Sequence, residues 1–185
     1  MVQAYGIQVW LRQVVMALLV LNLVACGGLF QDDQALVQNA REYLEQREIN
    51  AAAIELRNAL QKNPDNAEAR YLLGTINLDF GDFPGAEKEF RRALDAGWKE
   101  EAVMIKLAQA LLRQQSYTRL LNDIEVRDTY SQSARANLLG LRAAAEKGTG
   151  NTDQAWLLIA EGAGLDPEAV EIMKTTVQLQ LLAGK

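Results

Sequence analysis

Two stretches decide the fold: Ile49-Asn-Ala-Ala-Ala-Ile-Glu-Leu-Arg-Asn-Ala-Leu-Gln-Lys-Asn-Pro64 and Phe83-Pro-Gly-Ala-Glu-Lys-Glu-Phe-Arg-Arg-Ala-Leu-Asp-Ala-Gly-Trp98. They are one pattern written twice at a spacing of 34 residues, so that Ile49, Ala52, Leu56, Ala59 and Pro64 return as Phe83, Ala86, Phe90, Ala93 and Trp98. Within each copy the apolar positions recur at steps of three and four, the spacing of one helix face. A fixed period of this length marks a stack of helical hairpins, in which each unit buries its apolar side against the next. Small alanines at the crossing let two helices approach, and Leu56 or Phe90 fills the space beside them.

Composition agrees with an all-α chain. Hydrophobic residues make up 49% of the 185 positions but aromatics only 6%, and there are just three prolines. Alanine and leucine dominate, both good helix formers. The absence of any histidine removes the commonest general base and metal ligand. Net charge is −5 and the basic residues are scattered, so the basic footprint of a nucleic-acid binder is missing. Cys26 is the only cysteine, which rules out an intramolecular disulfide.

Reading outward, the first hairpin covers about 33–66. Its first helix places Leu36, Ala40 and Tyr43 on one face, Arg47-Glu48 makes the turn, and Asn63-Pro64-Asp65 ends the second helix. Asp65 with Glu68 reads as a capping box for the helix that follows. The second hairpin, 67–100, turns at Gly81-Asp82-Phe83, and its Leu73-Gly74 pair allows close helix approach. In the third, 101–132, Leu120 and Arg127 occupy small-residue slots, so its second helix is expected to pack loosely or to end early, near Val126. The fourth, 133–169, has Ala155 three residues beyond the expected spacing, which assigns about three residues to a turn at Gly148-Thr149-Gly150. A partial fifth unit, 170–185, reads either as a terminal cap or as the first half of a repeat, and its Leu-Leu-Ala-Gly-Lys ending favours the front of a longer array.

The hairpins resemble the tetratricopeptide (TPR) consensus. Segment 67–100 resembles it at nearly every signature slot, departing at Asn77, where an aromatic is usual, and at Trp98, where proline is usual. The resemblance implies that first helices line a concave groove. It puts Val37, Arg41, Leu44, Tyr71, Thr75, Asp79, Ile105, Gln109, Arg113, Asn137 and Leu141 at groove-facing slots. Of these, Arg41, Tyr71, Thr75, Asp79, Gln109, Arg113 and Asn137 are the candidate partner-binding residues. Such a mixed surface suits an extended peptide or a partner helix. The Lys and Asn pattern of the TPR carboxylate clamp is not supplied by Val37/Arg41 and Tyr71/Thr75.

The N-terminal segment reads as an address. Val14 to Val24 is an almost continuous apolar run preceded by Arg12, with no Asp or Glu before Asp32. At about eleven residues it is short for a membrane span of about 20 and fits a secretory signal. Leu23-Val24-Ala25-Cys26 resembles the lipobox of bacterial lipoprotein signals. That resemblance implies cleavage before Cys26, lipidation of Cys26, and outer-membrane retention, since Gly27 and not Asp follows. The expected organisation is a lipoprotein signal peptide, 1–25, a lipidated tether, 26–32, and a TPR-type helical-hairpin solenoid, 33–185. Several acyl chains would give stable anchoring, each buried methylene adding about 0.8 kcal/mol.

Lipobox and repeats together resemble the N-terminal part of the TPR-repeat lipoproteins of the PEP-CTERM/exosortase system, on Ala51 to Gly74 and Gly81 to Leu94. That family implies a scaffold in the bacterial envelope, tied to surface-protein sorting or exopolysaccharide production, with no catalytic residues. The expected partners are a protein or peptide in the groove and the membrane through Cys26, facing the periplasm, without nucleic acid, metal or cofactor. A pilotin-like or outer-membrane-assembly lipoprotein escorting one partner is the alternative. Catalysis is not expected: Ser131 and Ser133 lack a histidine partner, and Gly148-Thr-Gly-Asn lacks the strand and spacing of a phosphate loop. Glu87-Lys88-Glu89 and Glu100-Glu101 read as solvated helix faces.

Overall fold

The computed structural model describes residues 32–184. The signal, Cys26 and nearly all of the tether lie outside them. The described residues form nine helices and no strand: α1 Asp33–Glu45, α2 Ile49–Lys62, α3 Ala67–Asp79, α4 Phe83–Asp95, α5 Glu100–Arg113, α6 Tyr117–Asp123, α7 Gln132–Gly148, α8 Thr152–Leu165 and α9 Val170–Leu182. They pair as antiparallel hairpins α1/α2, α3/α4, α5/α6 and α7/α8, with α9 packed on α7 and α8. None of the described helices is long and apolar enough to cross a membrane.

The core is a chain of three clusters along the stack. Leu36, Val37, Ala40, Ala52, Leu56, Ala59 and Leu73 join α1 to α3. Phe90, Leu107, Leu111, Leu120, Ile124 and Leu138 join α4 to α7. Ala136, Ala143, Ala155, Ile159, Ile172 and Leu179 join α7 to α9. Each unit therefore packs mainly on its neighbours, the arrangement the 34-residue period implies. The small–large reasoning holds in detail. Ala52, Ala86 and Ala155 are fully buried, and a Cβ on Gly74 would sit 2.8 Å from two ring atoms of Phe90.

The four hairpin turns share one geometry. Each is three residues long, with the middle residue at positive φ: Arg47 at 61°, Gly81 at 83°, Gln115 at 57° and Gly150 at 90°. Orphan carbonyls at the end of each first helix are satisfied by the turn, as when Glu48 N–H donates to the Tyr43 carbonyl at 2.8 Å and Asp82 N–H to that of Asn77 at 2.9 Å.

Two sequence expectations are corrected, the cap of α3 and the exposure of Glu87 and Glu89, and two are refined, the turn of the fourth hairpin and the early end of α6. The cap of α3 is Asn66, whose side chain accepts from Ala69 N–H at 2.9 Å, and not Asp65; Glu68 instead pairs with Arg41. The three extra residues of the fourth hairpin lengthen α7 to 17 residues and leave the turn, Thr149 to Asn151, at the common length. Helix α6 has only seven residues and stops at Asp123, yet its packing is tight: Leu120 and the following Ile124 are fully buried. Arg142 reaches over from α7 and donates to the carbonyls of Leu121 at 2.9 Å and Ile124 at 2.6 Å, satisfying groups a longer helix would have paired. Finally, Glu87 and Glu89 are each only 7% exposed. Glu89 pairs with Arg70 at 2.5 Å, while Glu87 accepts from Arg91, Arg119 and Gln114. Lys88 alone of that trio is on the solvated face.

Candidate functional site

The first helices of the hairpins converge on a cavity of about 470 Å³. Leu78 and Asp79 come from α3, Lys106, Gln109, Leu112 and Arg113 from α5, Leu141 from α7, and Glu171, Lys174 and Gln178 from α9. No residue of a second helix lines it. On α5 the polar residues 106, 109 and 113 fall at i, i+3 and i+7, and on α9 the polar residues 171, 174 and 178 repeat that spacing, so each helix turns one polar edge inward. The two edges meet: Gln109 Nε2 donates to Glu171 Oε1 at 3.0 Å, past the intervening α7. A contact that skips a hairpin requires a tightly curved, concave surface.

Glu171 is buried, and two donors stabilise its carboxylate there: Gln109 and, at 3.2 Å, Lys174 Nζ. Lys147 Nζ donates to Gln178 Oε1 at 2.6 Å and fixes that amide. Lys106 and Arg113 differ from Lys174. Among the described residues neither has a carboxylate partner, and Arg113 instead lies over the Phe83 ring, 5.1 Å from its centroid. Asp79 at the end of α3 is likewise exposed and without an ion pair.

Of the candidate residues, Asp79, Gln109 and Arg113 are brought together in this cavity, and Leu141 forms part of its floor. The others stand elsewhere. Arg41 bridges α1 to α3 through Glu68. Tyr71 is half-buried between Phe90 and Trp98, with ring centroids 6.1 and 5.9 Å away, and burial raises its phenol pKa above the ordinary value. Thr75 donates to the Tyr71 carbonyl of its own helix at 3.0 Å. Asn137 accepts from Glu171 N–H at 3.1 Å and so holds the first turn of α9 against α7. Val37 is core, 2% exposed, while Leu44 and Ile105 pack onto the apolar clusters.

Sequence reasoning missed Lys106, Glu171, Lys174 and Gln178. The signal for two of them was present. Val170 begins α9 as Ala67 begins α3, so Lys174 and Gln178 stand at the slots of Tyr71 and Thr75. The slot rule extended to the fifth unit would have found them. Lys106 lies beside its slot row, and nothing in the spacing singles it out.

This architecture is a TPR-type solenoid, a fold whose members are generally non-enzymatic interaction scaffolds. Residues 37–101 match the family model of the tetratricopeptide repeat. A solved structure described as the MamA RS-1 ArsTM double mutant is similar, with a TM-score of 0.66 at 15% identity over 82% of this chain and 84% of that one. YrrB, described as a TPR protein with an unusual peptide-binding site, aligns with a TM-score of 0.48 at 14% identity over 78% of this chain and 92% of its own. No curated protein matches the chain. At these identities the MamA likeness concerns the fold.

Proposed function

We propose that the protein is a lipid-anchored TPR adaptor of the bacterial envelope, attached to the outer membrane through Cys26 and presenting its groove to the periplasm. There it binds a protein or peptide partner in PEP-CTERM protein sorting or exopolysaccharide production. The supporting observation for the binding half is the cavity lined solely by first helices, where polar edges of α5 and α9 converge over Leu78, Leu112 and Leu141. Such a mixture of amides, charges and aliphatic floor fits a peptide better than a small apolar ligand. The support for the anchoring half is the sequence Leu23-Val24-Ala25-Cys26 after a short apolar run.

Two experiments test the halves separately. A photo-crosslinking residue at Arg113 in the groove is expected to capture a discrete envelope protein, while the same residue at Lys88 on α4 captures none. Equal capture from both positions removes the groove from the reading. Cys26→Ser is expected to abolish fatty-acid labelling and leave the precursor unprocessed. Normal processing of that variant would sink the lipidation reading and leave the groove untouched.

A further inference from the structure

We infer that the groove selects an acidic peptide, one whose side-chain carboxylates seat on Lys106 and Arg113 while its aliphatic side chains rest on the leucine floor. The inference rests on the groove reading and adds the chemistry of the occupant. Five charged side chains face the cavity: Asp79, Lys106, Arg113, Glu171 and Lys174. Glu171 and Lys174 neutralise each other at 3.2 Å. What is left is two cations against Asp79, in a molecule whose net charge is −5. A locally positive groove on an acidic protein attracts anionic segments and repels further copies of acidic surface.

The two cations are poised. Six of the eleven arginines among the described residues are committed to carboxylates: Arg41, Arg70, Arg91, Arg119, Arg127 and Arg135. Lys106 and Arg113 are not. They are seven residues apart on one helix face, about 10 Å along α5 at 1.5 Å per residue. That distance suits carboxylates three residues apart on a polyproline-II-like segment, where one turn of three residues rises about 9 Å and returns the side chain to the same face. Between them Gln109 is already fixed by Glu171, and across the groove Gln178 is fixed by Lys147. Those amides offer their remaining hydrogen-bonding atoms to a peptide main chain at little ordering cost. A polyanionic sugar would use the cations but not the leucine floor, which favours the peptide.

The test uses the full chain in detergent and two fluorescent ten-residue probe peptides. One alternates glutamate with leucine and glycine; the other has glutamine at every glutamate. The acidic probe is expected to bind about tenfold tighter or more, with an advantage that shrinks as salt rises. Lys106→Glu combined with Arg113→Glu should erase that advantage. Asp79→Lys should enlarge it, a gain that a folding defect cannot produce. Equal binding of the two probes overturns the acidic assignment while leaving a groove that binds peptides. An advantage that survives the double substitution places the anion elsewhere and also overturns it. Binding of a polyuronate with neither probe bound replaces peptide by polysaccharide. Capture through Arg113 of a partner lacking an acidic segment retains the groove reading and rejects this one.

Discussion

At the scale of single residues the solenoid is tuned by close contacts that tolerate no added atom. Gly74 lies on α3 where the Phe90 ring of α4 comes down upon it. Gly74→Ala is expected to destabilise the fold by about 1–3 kcal/mol through overpacking, read as a lower urea midpoint at unchanged slope. Phe90→Leu made in the same chain should recover part of that loss, because the two sites are in direct contact and couple. If the two losses simply add, Gly74 is not responding to the ring. Sequence patterning marked Gly74 as a point of close helix approach and Phe90 as a filler beside small residues, but only the structure joins the two. Patterning misjudged Glu87 and Glu89 for an equally physical reason. A charge run looks solvated until partners arrive from elsewhere, and Arg70, Gln114 and Arg119 stand 19, 27 and 32 residues away.

At the scale of elements, turn geometry is the most uniform feature and the least uniform in sequence. Gly81 and Gly150 occupy the left-handed position without steric cost, whereas Arg47 and Gln115 carry a Cβ there. Gln115→Gly is expected to stabilise the protein by about 0.5–1 kcal/mol, and Gly81→Ala to destabilise it by about 1 kcal/mol or more. Thermal midpoints moving in opposite directions would verify this. A fall for both would mean that the Gln115 side chain contributes contacts that outweigh its strain. The same uniformity explains why α7 and not its turn absorbed three residues. A fixed three-residue connection cannot lengthen without leaving carbonyls unpaired, whereas a helix grows by nearly one turn with every bond made. Helix α6 shows the reverse case. Its shortness was foreshadowed by Leu120 and Arg127 in small-residue slots, but the seal provided by Arg142 could be seen only in three dimensions.

At the scale of the molecule, acidic side chains that bridge helices make stability depend on pH. Asparagines 66 and 63, with Asp32, hold the Asp33 carboxyl at about 2, below its ordinary 3.8. Burial pushes Glu87 upward, but Gln114, Arg91 and Arg119 together outweigh it and leave the group lowered. Ser131, through its hydroxyl and backbone N–H, lowers Glu101. A lowered carboxylate stabilises the folded state above the unfolded pKa, and that contribution disappears as pH falls through the folded value. The thermal midpoint is therefore expected to hold steady from pH 7 to about 5, then to decline from about 4.5 toward 2. Asn66→Ser, which can keep the α3 cap but is too short to hold Asp33 as Asn66 does, should raise the Asp33 titration midpoint seen by NMR. An unmoved midpoint would mean that the asparagine is not what lowers it.

The sequence by itself determined the all-α class, the period of the hairpins, the positions of the small residues at helix crossings and the lipobox-like Leu23 to Cys26. These are local or strictly periodic signals, and one strand of text carries them. Tertiary structure decided which groove-facing slots actually meet. Superhelical curvature brings α5 within side-chain reach of α9 and forms a cavity from Asp79, Gln109 and Arg113 together with Lys106, Glu171, Lys174 and Gln178. The same curvature leaves Arg41, Tyr71, Thr75 and Asn137 bonded within the stack. Curvature accumulates from small rotations at every interface, so no single repeat encodes it, and the cavity exists only once several have stacked.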